Sequence, residues 1–179
     1  GRVSRPSARL GFSSNMLLAP YQGGLSLQFR IVNLRTNVLM ELEASVLMMT
    51  VEGPAGSAVR LYNRLTLERD TVYFLPLTWT VVHPIDDKSL LHGLTPSDLE
   101  TLGAEFLILI KGYDDTFSQT VHRRFSYRYD EVVWGAKFTP AFTIDASGDV
   151  VLDVDQLSAF NPVAPVAALE QPQGGSSKG

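Results

Sequence analysis

Residues 105–135 read EFLILIKGYDDTFSQTVHRRFSYRYDEVVWG, and the pattern in this stretch decides the fold. The apolar run at residues 106–110 is too short for a typical helix and is bounded by charge. Gly112-Tyr113-Asp114-Asp115 follows as a turn signal. Beyond it the chain alternates. Val121, Phe125, Tyr127 and Tyr129 fall on one side, and His122, Arg124, Ser126 and Arg128 on the other. A period of two marks a strand with one dry and one wet face. The stretch therefore predicts a long β-hairpin whose polar tip lies at one end of a sheet.

The same reading extends outward in both directions. Gln22-Gly23-Gly24 turns between a strand over residues 16–19 and one with Leu25, Leu27, Phe29 and Ile31 on its inner face. Ser26, Gln28 and Arg30 take the other face. Residues 38–51 predict a long strand, with Met40, Leu42, Ala44, Val46 and Met48 inward and Glu41, Glu43 and Ser45 opposite. After the turn Glu52-Gly53-Pro54-Ala55-Gly56, the residues Val59, Leu61, Leu65 and Leu67 give an inner face. Residues 72–82 are apolar on both faces and predict one central, doubly covered strand. Thr95-Pro96-Ser97-Asp98 starts a short helix that ends near Gly103. Asp145-Ala146-Ser147-Gly148-Asp149 turns a last hairpin between residues 141–144 and 150–154. Roughly eight or more strands with hardly any helix make an all-β chain, an antiparallel β-sandwich with one or two short helices.

A length of 179 residues suits one domain with a sizeable core. The division expected is a basic linker at residues 1–14, a sandwich at 15–160 and a disordered tail at 161–179, where Pro, Ala, Gly and Ser dominate. Residues 1–14 carry Arg2, Arg5, Pro6 and Arg9 without the apolar stretch of a signal peptide. They read either as a solvated terminus or as a linker to an anionic surface. No run approaches the roughly 20 apolar residues that cross a bilayer; the best, residues 71–82, is interrupted by Pro76. A net charge of −4 argues against nucleic acid as a partner, and the absence of cysteine excludes disulfides and Cys-held metals.

Catalysis finds little to work with. The histidines are His83, His92 and His122. Asp86 could orient His83, but no serine sits in a G-x-S-x-G elbow and no phosphate-binding glycine loop is present. The His spacings supply no zinc set, so no tightly bound metal and no enzyme are expected. Glu41 and Glu43, two apart on a strand, share a face about 6.5–7 Å apart. They read as a solvated edge or, if they border a water-filled space, as a device that concentrates cations. Asp114 and Asp115 add to that field in the second case.

Four segments, in order, resemble the cytoplasmic domain of inward-rectifier potassium channels, closest to the prokaryotic branch. They are Arg5-Pro6 with Phe12-Ser13; LQFRIVNLR at 27–35; LTWTVVHPID at 77–86; and DEVVWG at 130–135. The likeness spans about residues 4–160. It implies an immunoglobulin-like sandwich in a homotetramer around a pore that extends the chain's own transmembrane pore domain. By this resemblance Glu41 and Asp115 line the pore and attract K⁺, Mg²⁺ or polyamines as transient ions, with no bound cofactor, and Glu43, sharing a strand face with Glu41, adds to them. Thr116, Phe117, Ser118, Gln119 and Thr120 form the pore-narrowing loop, with Phe117 its constriction. Arg5 and Arg9 meet anionic lipid head groups at the membrane. The full-length protein is then a gated channel of the bacterial inner membrane, classed with voltage-gated channels, and this segment is its cytoplasmic part.

Lys111 stands where many such channels carry an acid, Leu90 replaces a usual proline, and the linker is thin in basic residues. The alternative reading is a soluble β-sandwich protein-interaction module. Two hydrophobic spans and a filter segment encoded upstream of Gly1 would separate the two readings.

Overall fold

In the computed structural model, which describes residues 9–35, 38–75 and 77–163, the alternating segments build two five-stranded sheets. The first contains β1 (Leu10–Phe12), β2 (Met16–Tyr21), β3 (Gly24–Asn33), β7 (Thr78–Ile85) and β10 (Val132–Trp134). One edge of β3 bonds β7, and the other bonds β2 and then β1. The second sheet contains β4 (Leu39–Glu52), β5 (Val59–Arg64), β6 (Thr71–Phe74), β8 (Glu105–Asp114) and β9 (Gln119–Arg128), in the order β5-β4-β8-β9 with β6 also on β4. Pairing within both sheets is antiparallel, except that β10 runs parallel to β2. Two small ribbons follow, β11 (Ala136–Phe138) with β14 (Phe160–Pro162) and β12 (Phe142–Ile144) with β13 (Val150–Leu152).

The inner faces meet in one core. Leu27, Phe29, Ile31 and Val81 from the first sheet pack with Leu42, Val46, Met48, Phe106, Ile108 and Ile110 from the second. Each such side chain contributes roughly 1.5–3 kcal/mol on burial, so this shared face fixes the register of both sheets. Tyr127 of β9 is fully buried and its hydroxyl donates to the Ser13 carbonyl at 2.7 Å. That bond ties the hairpin of the second sheet to the corner between β1 and β2, and burial pushes the phenol well above its ordinary range.

The local signals give the expected turns. Gln22 and Gly23 both take positive φ, which matches a tight hairpin to the twist of its strands. Helix α1 (Pro96–Thr101) begins at Thr95, whose hydroxyl accepts from the Asp98 amide while Asp98 accepts from the Thr95 amide. Gly103, at φ +57, ends it in the left-handed region.

Three expectations need correction. Residues 72–82 form two strands rather than one: β6 lies on the second sheet and β7 on the first. β6 ends at Phe74 and β7 begins at Thr78, so the change of sheet falls between them. In β5, Val59 and Leu61 are exposed and only Leu65, beyond the strand, is fully inside, because β5 is an uncovered edge.

The third correction is Arg30. Alternation puts it on the wet face, yet it is 4% exposed, because residues 136–163 lie across that face. Its Nε and Nη2 donate to the Leu157 carbonyl, Nη1 to Thr139 and Nη2 also to Gln156, while the Phe138 ring sits 4.5 Å from the guanidinium carbon. At the ends of the sandwich, Leu10–Phe12 and Asn161–Pro162 belong to strands, so the sheet structure reaches into both the expected linker and the expected tail. Arg5 and residues 164–179 lie outside the described residues.

Candidate functional site

β4 and β8 pair Leu39 with Asp114 and Met40 with Tyr113, but the next pair is Glu43 with Lys111. Glu41 and Leu42 together oppose Gly112. This is a β-bulge, with one extra residue on β4. The burial pattern shows the slip: Leu39 and Leu42, three apart, both point into the core. Gly112 lies close against the bulge: a Cβ there would lie 3.3 Å from Leu42 Cγ, so the Leu42 side chain would have to shift slightly. Glu41 takes φ +51, rare for a residue with a side chain. The regular spacing expected for Glu41 and Glu43 is therefore broken between them, although both side chains are exposed.

The hairpin tip lies beside this bulge. Residues 115–118 turn between β8 and β9, and the buried Asp114 closes the turn. Its Oδ1 accepts the Thr116 amide at 2.9 Å and the Phe117 amide at 3.3 Å. Asp114 thus serves the backbone of the turn and does not join a surface field. Asp115 is exposed, and its amide donates to the Val38 carbonyl at 3.3 Å, which binds the tip to the start of β4. Thr116, Phe117 and Ser118 form the turn itself. Gln119 and Thr120, expected in the loop, already pair with Asp114 and Tyr113, because the short Asp114-closed turn lets the ladder begin early.

Charge changes sign along the outer face of the second sheet. Glu43, Lys111 and His122 stand side by side on β4, β8 and β9. Arg124 follows in the next row, opposite Leu109. The acid at Glu43 is thus directly opposed by a cation, whereas Glu41 and Asp115 sit nearer the tip.

A further group of residues, which the sequence did not single out, gathers at the same end. The connection 34–38 joins β3 to β4 there, and the Leu34 amide bonds the Arg9 carbonyl at 2.8 Å. Leu34, Val38, Phe74, Leu77 and Phe117 are all exposed, alongside the exposed Arg9 and Arg35. Phe74 reaches this end through its pairing with Met40, and the Leu75 amide bonds the Leu39 carbonyl. Exposed apolar residues on neighbouring segments, with basic residues on the same segments, are a feature of interaction surfaces. Alternation could not reveal the cluster, because its members come from four separate segments.

His83 belongs elsewhere and to another purpose. It is 5% exposed. Nδ1 lies against the Thr66 carbonyl and Nε2 is 2.7 Å from the Ser89 hydroxyl. The Ser89 oxygen also accepts the Leu91 amide. The geometry fits the neutral ring, with Nδ1–H donating to Thr66 and Nε2 accepting from Ser89. Burial holds its pKa below the usual value, against smaller raising effects from Thr66 and Asp86. With both nitrogens engaged, His83 is a structural residue and is not available as the base of a His83–Asp86 pair.

The chain matches the family model described as the inward rectifier potassium channel C-terminal domain over residues 10–173. It is 35% identical over 164 residues to the inward rectifier potassium channel Kirbac3.1 of Paramagnetospirillum magnetotacticum, covering 91% of this chain and 55% of that one. It is 31% identical to the ATP-sensitive inward rectifier potassium channel 10 of Rattus norvegicus, covering 93% of this chain and 45% of that protein. The G protein-activated inward rectifier potassium channel 1 of Homo sapiens is 30% identical, with 95% and 36% covered. The chain therefore spans about half or less of the length of these relatives. No described helix is long and apolar enough to cross a membrane. The relatives are ion channels rather than enzymes. They are inward rectifiers, which are not gated by voltage, so the expectation of voltage gating is withdrawn.

Proposed function

The chain belongs to the inward-rectifier potassium channel C-terminal domain family, and we propose that it forms the cytoplasmic, pore-extending and gating part of a channel built from four copies. What carries the reading is the convergence, at one end of the sandwich, of the bulged Glu41, the exposed Asp115, the closed hairpin tip and a basic, apolar surface. In this reading Glu41 and Asp115 border the water of the shared pore and enrich cations there by their field. K⁺, Mg²⁺ or polyamines occupy it in passing. Glu43 contributes less, since Lys111 stands opposite it.

The tip narrows the path at its membrane end, with Phe117 as the constricting side chain and Thr116, Ser118, Gln119 and Thr120 around it. The surface of Leu34, Val38, Phe74 and Leu77, with Arg9 and Arg35, faces the transmembrane part and anionic lipid head groups, and Arg5 shares that role. The full-length protein resides in the bacterial inner membrane with this segment in the cytoplasm.

A bulge residue held at positive φ with an exposed carboxylate supports the assignment of Glu41 above any other acid, because folding alone gains nothing from it. In the full-length channel, Glu41→Gln weakens block by internal Mg²⁺ or spermine, read as a higher half-blocking concentration in patch recordings. Unchanged block removes Glu41 from the pore.

A further inference from the structure

Far from the hairpin tip, the loop after β7 roofs a cavity of about 310 Å³. It is lined by the buried Leu18, Leu27, Leu91 and Leu99 and by Leu94 and Trp134, which are half-buried and so lie toward its mouth. No Asp, Glu, Lys or Arg lines it. Of the lining side chains, His92 stands exposed at the rim, and the Thr95 hydroxyl is already committed to the cap of α1.

The roof is fixed before any ligand arrives. Ser89 bridges His83 and the Leu91 amide, the His92 amide bonds the Ser89 carbonyl, and the Leu94 amide bonds the Leu91 carbonyl. A preformed apolar cavity needs little reordering on binding, which favours affinity. A dry, aliphatic cavity of about 150 Å³ already accepts a benzene molecule; this one is about twice that size.

We propose that this cavity is a binding site for a small neutral molecule with an apolar body of one or two rings and one hydrogen-bonding end placed at His92. The absence of lining charge selects for neutrality, because an ionised group carried into these walls would have no partner. The site is independent of the pore reading, since none of its residues belongs to the hairpin tip or to β4.

Titration of the full chain with indole, followed by calorimetry and thermal melting, tests the assignment. Saturable one-to-one binding with a raised Tm is expected. Binding should weaken at least tenfold in Leu94→Trp, which fills the mouth, and at least tenfold when indole-3-carboxylate replaces indole. Leu25→Phe, at another half-buried lining position, provides the same comparison should Leu94→Trp fail to fold by circular dichroism. No saturation up to the solubility of indole, equal binding by a folded mouth-filling variant, or preference for the carboxylate overturns the proposal. So does indole binding by a chain ending at Val163 but not by the full chain, since the occupant would then be the protein's own residues 164–179.

Discussion

Around Arg30 and His83, every polar group meets a partner inside the protein; around Glu41 and Asp115, exposed acids sit on backbone that is bent or turned. Arg30 has its guanidinium bonded to the carbonyls of Thr139, Gln156 and Leu157. His83 is held between Thr66 and Ser89. Folding explains both residues completely: remove either, and buried acceptors lose their donors. Glu41 instead occupies a left-handed conformation that costs roughly 1–2 kcal/mol for a residue with a Cβ, and among the described residues its carboxylate makes no hydrogen bond or ion pair that would offset this. Where stability accounts for a polar residue, no further role is needed. Where stability opposes it, the reason lies in what the surface does.

Three substitutions test this contrast. The largest effect belongs to Arg30→Met. It leaves three carbonyls under residues 136–163 without their donor and should cost about 3 kcal/mol or more, read as a lower urea midpoint. A loss below about 1 kcal/mol would mean that the covering segment is held by β11 and β14 alone.

The second concerns acid. Burial keeps His83 neutral in the fold below its ordinary pKa of 6.5. The unfolded chain takes up a proton as pH drops through that value while the folded chain does not, so stability falls with pH below about 6.5. His83→Gln should flatten this part of the stability profile relative to the parent chain. An unchanged slope would assign the acid sensitivity to other groups.

The smallest effect, and the one of opposite sign, is Glu41→Gly. Relief of the left-handed strain, roughly 1–2 kcal/mol, exceeds the roughly 0.5–1 kcal/mol of added chain entropy. The variant should melt slightly higher than the parent. A clear loss of stability would show that the Glu41 side chain supports the fold and would remove the contrast.

Much of the architecture could be read from residue order. The hairpin of β8 and β9, the turn at Gln22-Gly23 and the capped start of α1 all rest on local pattern and local chemistry. The failures share a physical cause, which is information held by residues distant in sequence. Arg30 reads as a solvent-facing residue of an alternating strand, and only the later segment laid over it makes it an interior cation. The run at 72–82 is apolar on both faces because two strands in two sheets meet there, and hydropathy does not record a change of sheet.

The site was legible as residue types but not as geometry. Glu41 and Asp115 stand out as acids near turns. The bulge between Met40 and Glu43 is masked, because Leu39, Met40 and Leu42 are all apolar and satisfy either register. Its signature was Gly112 on the partner strand, a small residue at the one place where two residues must face one.

The bond from the Asp115 amide to the Val38 carbonyl has a mechanical meaning. It fastens the tip of one hairpin to the segment by which the chain passes from one sheet to the other. A displacement of Val38 would therefore bear on Asp115 through a single backbone hydrogen bond, without passing through the core. Asp114 holds the same turn from within, so the tip is braced at two points, by its own side chain and by the start of β4.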